Sequence, residues 1–177
     1  MSAIVISTAR LNMRLMRLDD DAFVLRLVNQ SSFINNIGDK GVRDLFSARE
    51  HIHSSYLNQY EKLGFGLWVV ELKSNQQPIG VCGLVKRDAL TSPDIGYAFL
   101  DEAAGNGYAT EAGLAVMKYA KNQLGIKKIV AITATDNTAS QRVLVKLGLE
   151  FKKQVYLPGY RGASCYFEEC SHTLLNK

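Results

Sequence analysis

Two glycines one residue apart, Gly105 and Gly107, stand where a strand pattern gives way to a helix pattern. Pro93–Leu100 reads as a strand, 101–107 as a turn and Tyr108–Leu124 as a helix. The first N–H groups of a helix have no partner inside it, and glycine leaves the backbone there unshielded. Those donors, with the positive end of the helix dipole, make a seat for phosphate; the dipole alone contributes roughly 0.3–2 kcal/mol. The turn holds no Lys or Arg, so main-chain groups are expected to carry the contact. A P-loop needs G-x-x-x-x-G-K-[ST], a run that occurs nowhere in the chain. A dinucleotide fingerprint needs a third glycine, and Thr110 occupies that position. Spacing leaves two readings: a diphosphate site of another kind, or a plain joint between a strand and a helix.

Other reactive side chains give weaker signals. Cys82, Cys165 and Cys170 make an odd count without metal-ligand spacing, and they read as reduced thiols of a cytoplasmic protein. No metal site is expected. His51 and His53 are two apart on a helix pattern, so they do not share a face; they read as surface or groove-lining residues. The net charge of +4 over 177 residues suits an acidic ligand but is too small and scattered for direct nucleic-acid binding. No apolar run is long enough to span a membrane, and no signal-peptide pattern opens the chain. Hydrophobic residues at 47% and charged residues at 21% fit one globular domain over residues 1–177, as a monomer or homodimer.

The elements that must position the turn follow from periodicity. Arg10–Arg17 alternates, with Leu11, Met13 and Leu15 on one face and Asn12 and Arg14 on the other, as in a half-buried strand. Asp19–Asp21 offers an N-cap for a helix over Ala22–Val28, and Gln30–Gly41 is polar and loop-like. Ser47-Ala-Arg-Glu50 reads as a capping box opening a helix over Ala48–Leu63, with Ile52, Tyr56, Tyr60 and Leu63 at helical spacing and Gly64 at its end. Leu67–Lys73 and Ile79–Lys86 form a hairpin, Pro93–Leu100 extends the meander, and Trp68 is a core residue. The β-branched stretch Lys128–Thr135 is expected to run parallel to Pro93–Leu100, because a helical crossover joins the two. Thr138–Leu147 is the last helix, and Phe151–Leu157 with Cys165–Leu175 a closing strand pair. The order is β-α-α-β-β-β-α-β-α-β-β, an α+β class with a mixed central sheet flanked by helices.

Asp94-Ile-Gly-Tyr-Ala-Phe-Leu100 followed by Gly105-Asn-Gly-Tyr-Ala-Thr-Glu-Ala112 resembles the acetyl-CoA motif of the GNAT N-acetyltransferases. In particular it looks like the branch that acetylates the N-termini of ribosomal proteins. About thirty residues on, Asn137-Thr-Ala-Ser-Gln-Arg-Val-Leu-Val-Lys-Leu-Gly148 is similar to the second motif of that family. The resemblance covers nearly the whole chain and implies the GNAT fold, acetyl-CoA as cosubstrate and an amine as acceptor. It implies that the main chain of Ala98, Phe99 and Leu100 pairs with the pantetheine arm. It further implies that Gly105, Asn106, Gly107, Tyr108, Ala109 and Thr110 hold the pyrophosphate. Ala104 stands where the family often has Gln or Arg.

For catalysis the resemblance points to Asn137 beside the thioester, Ser140 as proton donor to the leaving thiolate, and Asp94 in the place of a catalytic Glu. Asn137 is also a natural N-cap for the following helix. Many relatives carry a Tyr where Leu144 stands, and some a Glu where Ile132 stands. Without those groups a site favours an acceptor that is already neutral. At pH 7 an α-amine is neutral roughly 400 times more often than a Lys amine. A protein N-terminus, such as that of a ribosomal protein, is therefore the expected acceptor. A polyamine, an amino sugar or a non-catalytic CoA-binding module are the alternatives. Tyr160 and Arg161 are expected to line the acceptor groove.

Overall fold

The computed structural model describes residues 3–160 and 162–170. Eight strands form one sheet in the order β1-β2-β3-β4-β5-β6-β8-β7. They are β1 Ile4–Ser7, β2 Leu11–Arg14, β3 Leu67–Leu72, β4 Pro78–Val85, β5 Asp94–Phe99, β6 Val130–Ala134, β7 Leu149–Tyr156 and β8 Ala163–Glu169. The helices are α1 Asp21–Val28, α2 Ser31–Asn36, α3 Leu45–Ile52, α4 Asn58–Leu63, α5 Tyr108–Asn122 and α6 Thr138–Lys146. Neighbouring strands are antiparallel except β5 and β6, which run parallel as the crossover requires. The expected mixed α+β sheet is the one observed.

Both faces of the sheet are covered. On one face Trp68, Val70, Cys82 and Ile95 pack with Ala112, Val116 and Ala120 of α5 and Leu144 of α6. On the other, Val69, Val81 and Leu100 pack with Val24, Leu27, Ala48 and Ile52 from α1 and α3. Alternate residues of β3 and β4 therefore serve opposite cores, and β4 is buried along nearly its whole length. Each fully buried large apolar side chain contributes about 1.5–3 kcal/mol. Trp68 is in the core as expected, edge-on to Tyr119 with centroids 5.5 Å apart.

Several local expectations are corrected. The first strand of the sheet is β1, outside the expected order, and β2 ends at Arg14. Leu15 lies exposed, whereas Arg14 is buried because its guanidinium grips Asp20 at 2.8 Å and Glu71 at 2.7 Å. Asp20 is thus tied to Arg14 and to the Arg17 amide rather than capping α1. The polar stretch 30–41 contains α2, anchored by Phe33. The cap of α3 is Asp44, whose carboxylate accepts from the Ser47 amide at 2.7 Å, so the helix opens three residues earlier than expected. It reaches α4 through a wider π turn at His53–Leu57, and Gly64 closes it in the left-handed conformation, as predicted. The expected strand Cys165–Leu175 is observed as β8 to Glu169; its residues 171–175 lie outside the described residues.

The parallel pair β5–β6 is short. Its one matched pair among the described residues is Asp94 with Val130, where the Val130 amide donates to the Pro93 carbonyl at 3.1 Å. Beyond that point the strands part, and a cleft opens between them.

Candidate functional site

The cleft has a volume of about 1000 Å³ and runs between β5 and β6 to the start of α5. Gly105, Gly107 and the first turn of α5, Tyr108 to Thr110, line that end. Gly105 and Gly107 both take left-handed backbone angles, φ +77° and +78°, which a side chain disfavours. The amides of Gly105, Asn106, Gly107, Tyr108, Ala109 and Thr110 donate to no acceptor among the described residues. A run of free donors at a helix N-terminus is the arrangement that a diphosphate satisfies. These residues therefore fit the phosphate end of an acyl-CoA.

A cation missed by the sequence reading supports the turn from behind. Arg10, from the β1–β2 connection, donates through Nη1 to the Asn106 carbonyl at 3.0 Å and through Nε to Glu111 at 2.6 Å. Its guanidinium lies 4.6 Å from the centre of the Tyr108 ring. The Asn106 side chain is turned inward onto the Ala103 and Ala104 carbonyls. No local pattern signals Arg10, which lies 96 residues from Asn106 in the chain.

Of the three residues expected to meet the pantetheine arm through their main chain, Ala98 and Phe99 line the cleft, but the Ala98 main chain pairs with Val81 of β4. Leu100 is buried in the core of the α1–α3 face, and its amide donates to the Ile79 carbonyl at 2.8 Å. Alternation along an antiparallel ladder then directs the Tyr97 and Phe99 main-chain groups toward the β6 side. They form a strand edge that no strand among the described residues pairs, with the Phe99 carbonyl accepting from Gln30 Nε2 at 3.5 Å.

Asn137 and Ser140 come together at the head of α6. The Asn137 carboxamide accepts from the Ser140 amide at 3.0 Å, the N-cap anticipated from sequence. The Ser140 Oγ lies 2.9 Å from the Tyr97 hydroxyl. Burial pushes the Tyr97 phenol up to about 12, so at neutral pH it holds its proton and can donate. Tyr97 went unnoticed in the sequence because its place in an alternating strand reads as packing. Ile132 and Leu144 also line the cleft and supply no acid or base.

Asp94 enters the cleft from the start of β5 and is 1% exposed. Burial raises its carboxyl to about 6, against the pull of the Arg87 guanidinium, whose Nε donates to both carboxylate oxygens at 3.1 and 3.2 Å. Arg87 in turn lies 5.5 Å from the Tyr160 ring centre. Tyr160 lines the cleft as expected, and Arg161 lies outside the described residues. His51 lines the cleft too, with its pKa lowered by burial and by Lys40. Among the described residues no group of three His, Cys, Asp or Glu is placed to hold a metal, and no helix is long and apolar enough to cross a membrane.

A profile of the acetyltransferase (GNAT) domain matches residues 10–150. The uncharacterised protein YkkB of Bacillus subtilis is 32% identical over 152 residues, covering 84% of this chain and 86% of YkkB. Among solved structures, RimL, a ribosomal L7/L12 α-N-protein acetyltransferase in complex with coenzyme A, superposes with a TM-score of 0.79 at 17% identity, over 94% of this chain and 97% of that one. AAC(6')-Ib, in complex with paromomycin and acetyl-CoA, superposes at 0.73 with 20% identity, over 91% and 93%. At those identities the two structures speak for the fold alone.

Proposed function

The chain belongs to the GNAT acetyltransferase family and is an acetyl-CoA-dependent acetyltransferase, and on that premise we propose that its acceptor is a protein N-terminal α-amine, attacked directly in a ternary complex. The observation that carries the reading is the continuity of the open β5 edge with the unpartnered amides of 105–110. Acetyl-CoA supplies an activated acyl thioester when bound. The amides of Gly105 to Thr110 hold its diphosphate, and the main-chain groups of Tyr97 and Phe99 hold its amide-bearing arm, in the manner of strand addition.

The chain's own groups then move two protons. Asp94, poised near 6, accepts the proton that the ammonium must lose before it can attack. The paired hydroxyls of Ser140 and Tyr97 deliver a proton to the departing sulfur, and the second proton, shed by the attacking nitrogen as the amide forms, restores the one they gave. Asn137 acts through Ser140, because its cap fixes the first turn of α6. An α-amine suits this site because Asp94 is a weak base and a Lys ammonium gives up its proton far less readily. The reading includes a single domain acting in the cytoplasm, with a ribosomal protein N-terminus as one acceptor of the right chemistry.

A thiol-release assay over N-terminal peptides, polyamines and amino sugars tests it. Turnover on peptide α-amines is expected. Tight acetyl-CoA binding with no turnover on any acceptor would instead mark a CoA-binding module.

A further inference from the structure

The charged side chains around the acceptor end of the cleft do not balance. Lys40, from the α2–α3 connection, and Arg87, from the β4–β5 connection, both line it. Among the described residues Asp94 is the single carboxylate that does so. Asp94 is engaged by Arg87 through Nε, whereas the Nη groups of Arg87 donate to no acceptor among the described residues. Among the described residues Lys40 has no carboxylate within ion-pair distance; its sequence neighbour Asp39 is held by Arg43 at 2.5 Å. Lys40 and Arg87 feel each other, since the Lys40 pKa is lowered first by burial and then by Arg87. Two cations beside one shared carboxylate, with Arg142 and Lys146 of α6 lining the same cleft further along, leave an unanswered positive charge.

Resting on the acetyltransferase reading of this cleft, we infer that the acceptor amine carries a carboxylate near it, which Lys40 and the free edge of Arg87 receive. A guanidinium edge matches a carboxylate in two-point geometry, and a neighbouring ammonium adds a point charge. A polyamine or amino sugar would bring further ammonium groups against Lys40 and Arg87, with Asp94 able to answer one of them. Like charges brought together in this way act as a filter against wrong partners. Two sources supply the chemistry: the α-carboxylate of a free amino acid, or acidic side chains behind a peptide N-terminus.

The test is a panel with saturating acetyl-CoA: the amidated peptides Ala-Asp-Glu-Phe and Ala-Lys-Arg-Phe, free alanine, alanine amide, spermidine and glucosamine. The acidic peptide should exceed the basic one in kcat/KM by about tenfold, near 1.4 kcal/mol. Alanine set against its amide tells whether the α-carboxylate is the group received. Lys40→Gln should narrow the preference through KM, and Lys40→Glu should reverse it. Equal or better use of the basic peptide, spermidine or glucosamine overturns the inference. The same compounds titrated calorimetrically onto CoA-loaded protein give a readout without turnover. A carboxylate preference there upholds the inference even if nothing is acetylated, which would count against the peptide-acetylation reading alone. Absence of preference in binding overturns it.

Discussion

The Tyr97 hydroxyl and the Ser140 Oγ lie 2.9 Å apart, a contact that ties β5 to the head of α6 across the place where β5 and β6 part. Tyr97 also reaches the Ser140 carbonyl at 3.2 Å, so the pair is held from two sides. If the two hydroxyls deliver one proton, Tyr97→Phe and Ser140→Ala should each lower kcat by roughly ten- to a hundredfold, with little change in acetyl-CoA affinity. The double variant should lose scarcely more than either single one, because groups acting in series are not additive. Steady-state kinetics on all three variants decides this, and full activity in Ser140→Ala would remove Ser140 from the mechanism.

Gly107 and Arg10 should separate the seat from its support. Gly107→Val forces a β-branched residue to φ +78° beside the free amides. Acetyl-CoA binding should fall at least a hundredfold by calorimetry, and unchanged binding would move the diphosphate elsewhere. Arg10→Gln removes the guanidinium from the Asn106 carbonyl and from Glu111 without touching the seat amides. KM for acetyl-CoA should rise roughly three- to tenfold with kcat nearly constant, as expected for loss of an exposed charged contact of about 1 kcal/mol.

Asp94 should appear in both the pH–rate profile and the pH–stability profile. As proton acceptor it must be ionised, so kcat/KM should rise as pH passes about 6, and Asp94→Asn should lose that limb together with most of its rate. For stability, the folded value of about 6 lies above the ordinary value of 3.8. Below pH 4 both states carry the proton. Between 4 and 6 the unfolded chain releases it first, so the native state loses up to about 3 kcal/mol as pH rises. Urea unfolding of the parent relative to Asp94→Asn at pH 4 and at pH 6.5 should show that difference, and a constant gap would contradict it.

Asp20→Ala should be among the most destabilising changes away from the cleft. Arg14 and Asp20 are each about 5% exposed, and both Nη atoms of Arg14 bond the carboxylate at 2.8 Å. Removing Asp20 strands a buried cation with Glu71 alone, at a cost of about 3–5 kcal/mol. The urea midpoint should fall with little change in slope.

The sequence carried the parts whose signal is local. Short apolar runs bounded by turn residues in β3, β4 and β5 and the apolar stripe of α5 mark the sheet and its crossover, and two left-handed glycines mark the seat. Asn137 could be read as a cap because caps act on the next three residues. What escaped was contact between distant segments. Arg87 meets Asp94 only once β4 and β5 pair, Arg10 meets Asn106 only once β1 lies beside α5, and Tyr97 meets Ser140 only across the cleft. Arg14 defeated the alternation rule for the same reason, since its partners Asp20 and Glu71 make a charged residue welcome inside. The helix α2 was hidden by Ser, Asn and Gln, with Phe33 alone anchoring it.

The single rung at Asp94 and Val130 makes the sheet two leaves on one spine. One apolar core runs beneath both leaves, and a guest sliding between them breaks no existing ladder. Entry is therefore an act of completion: the visitor becomes a temporary ninth strand, and the amides of Tyr97 and Phe99 should exchange with deuterium far more slowly while it stays.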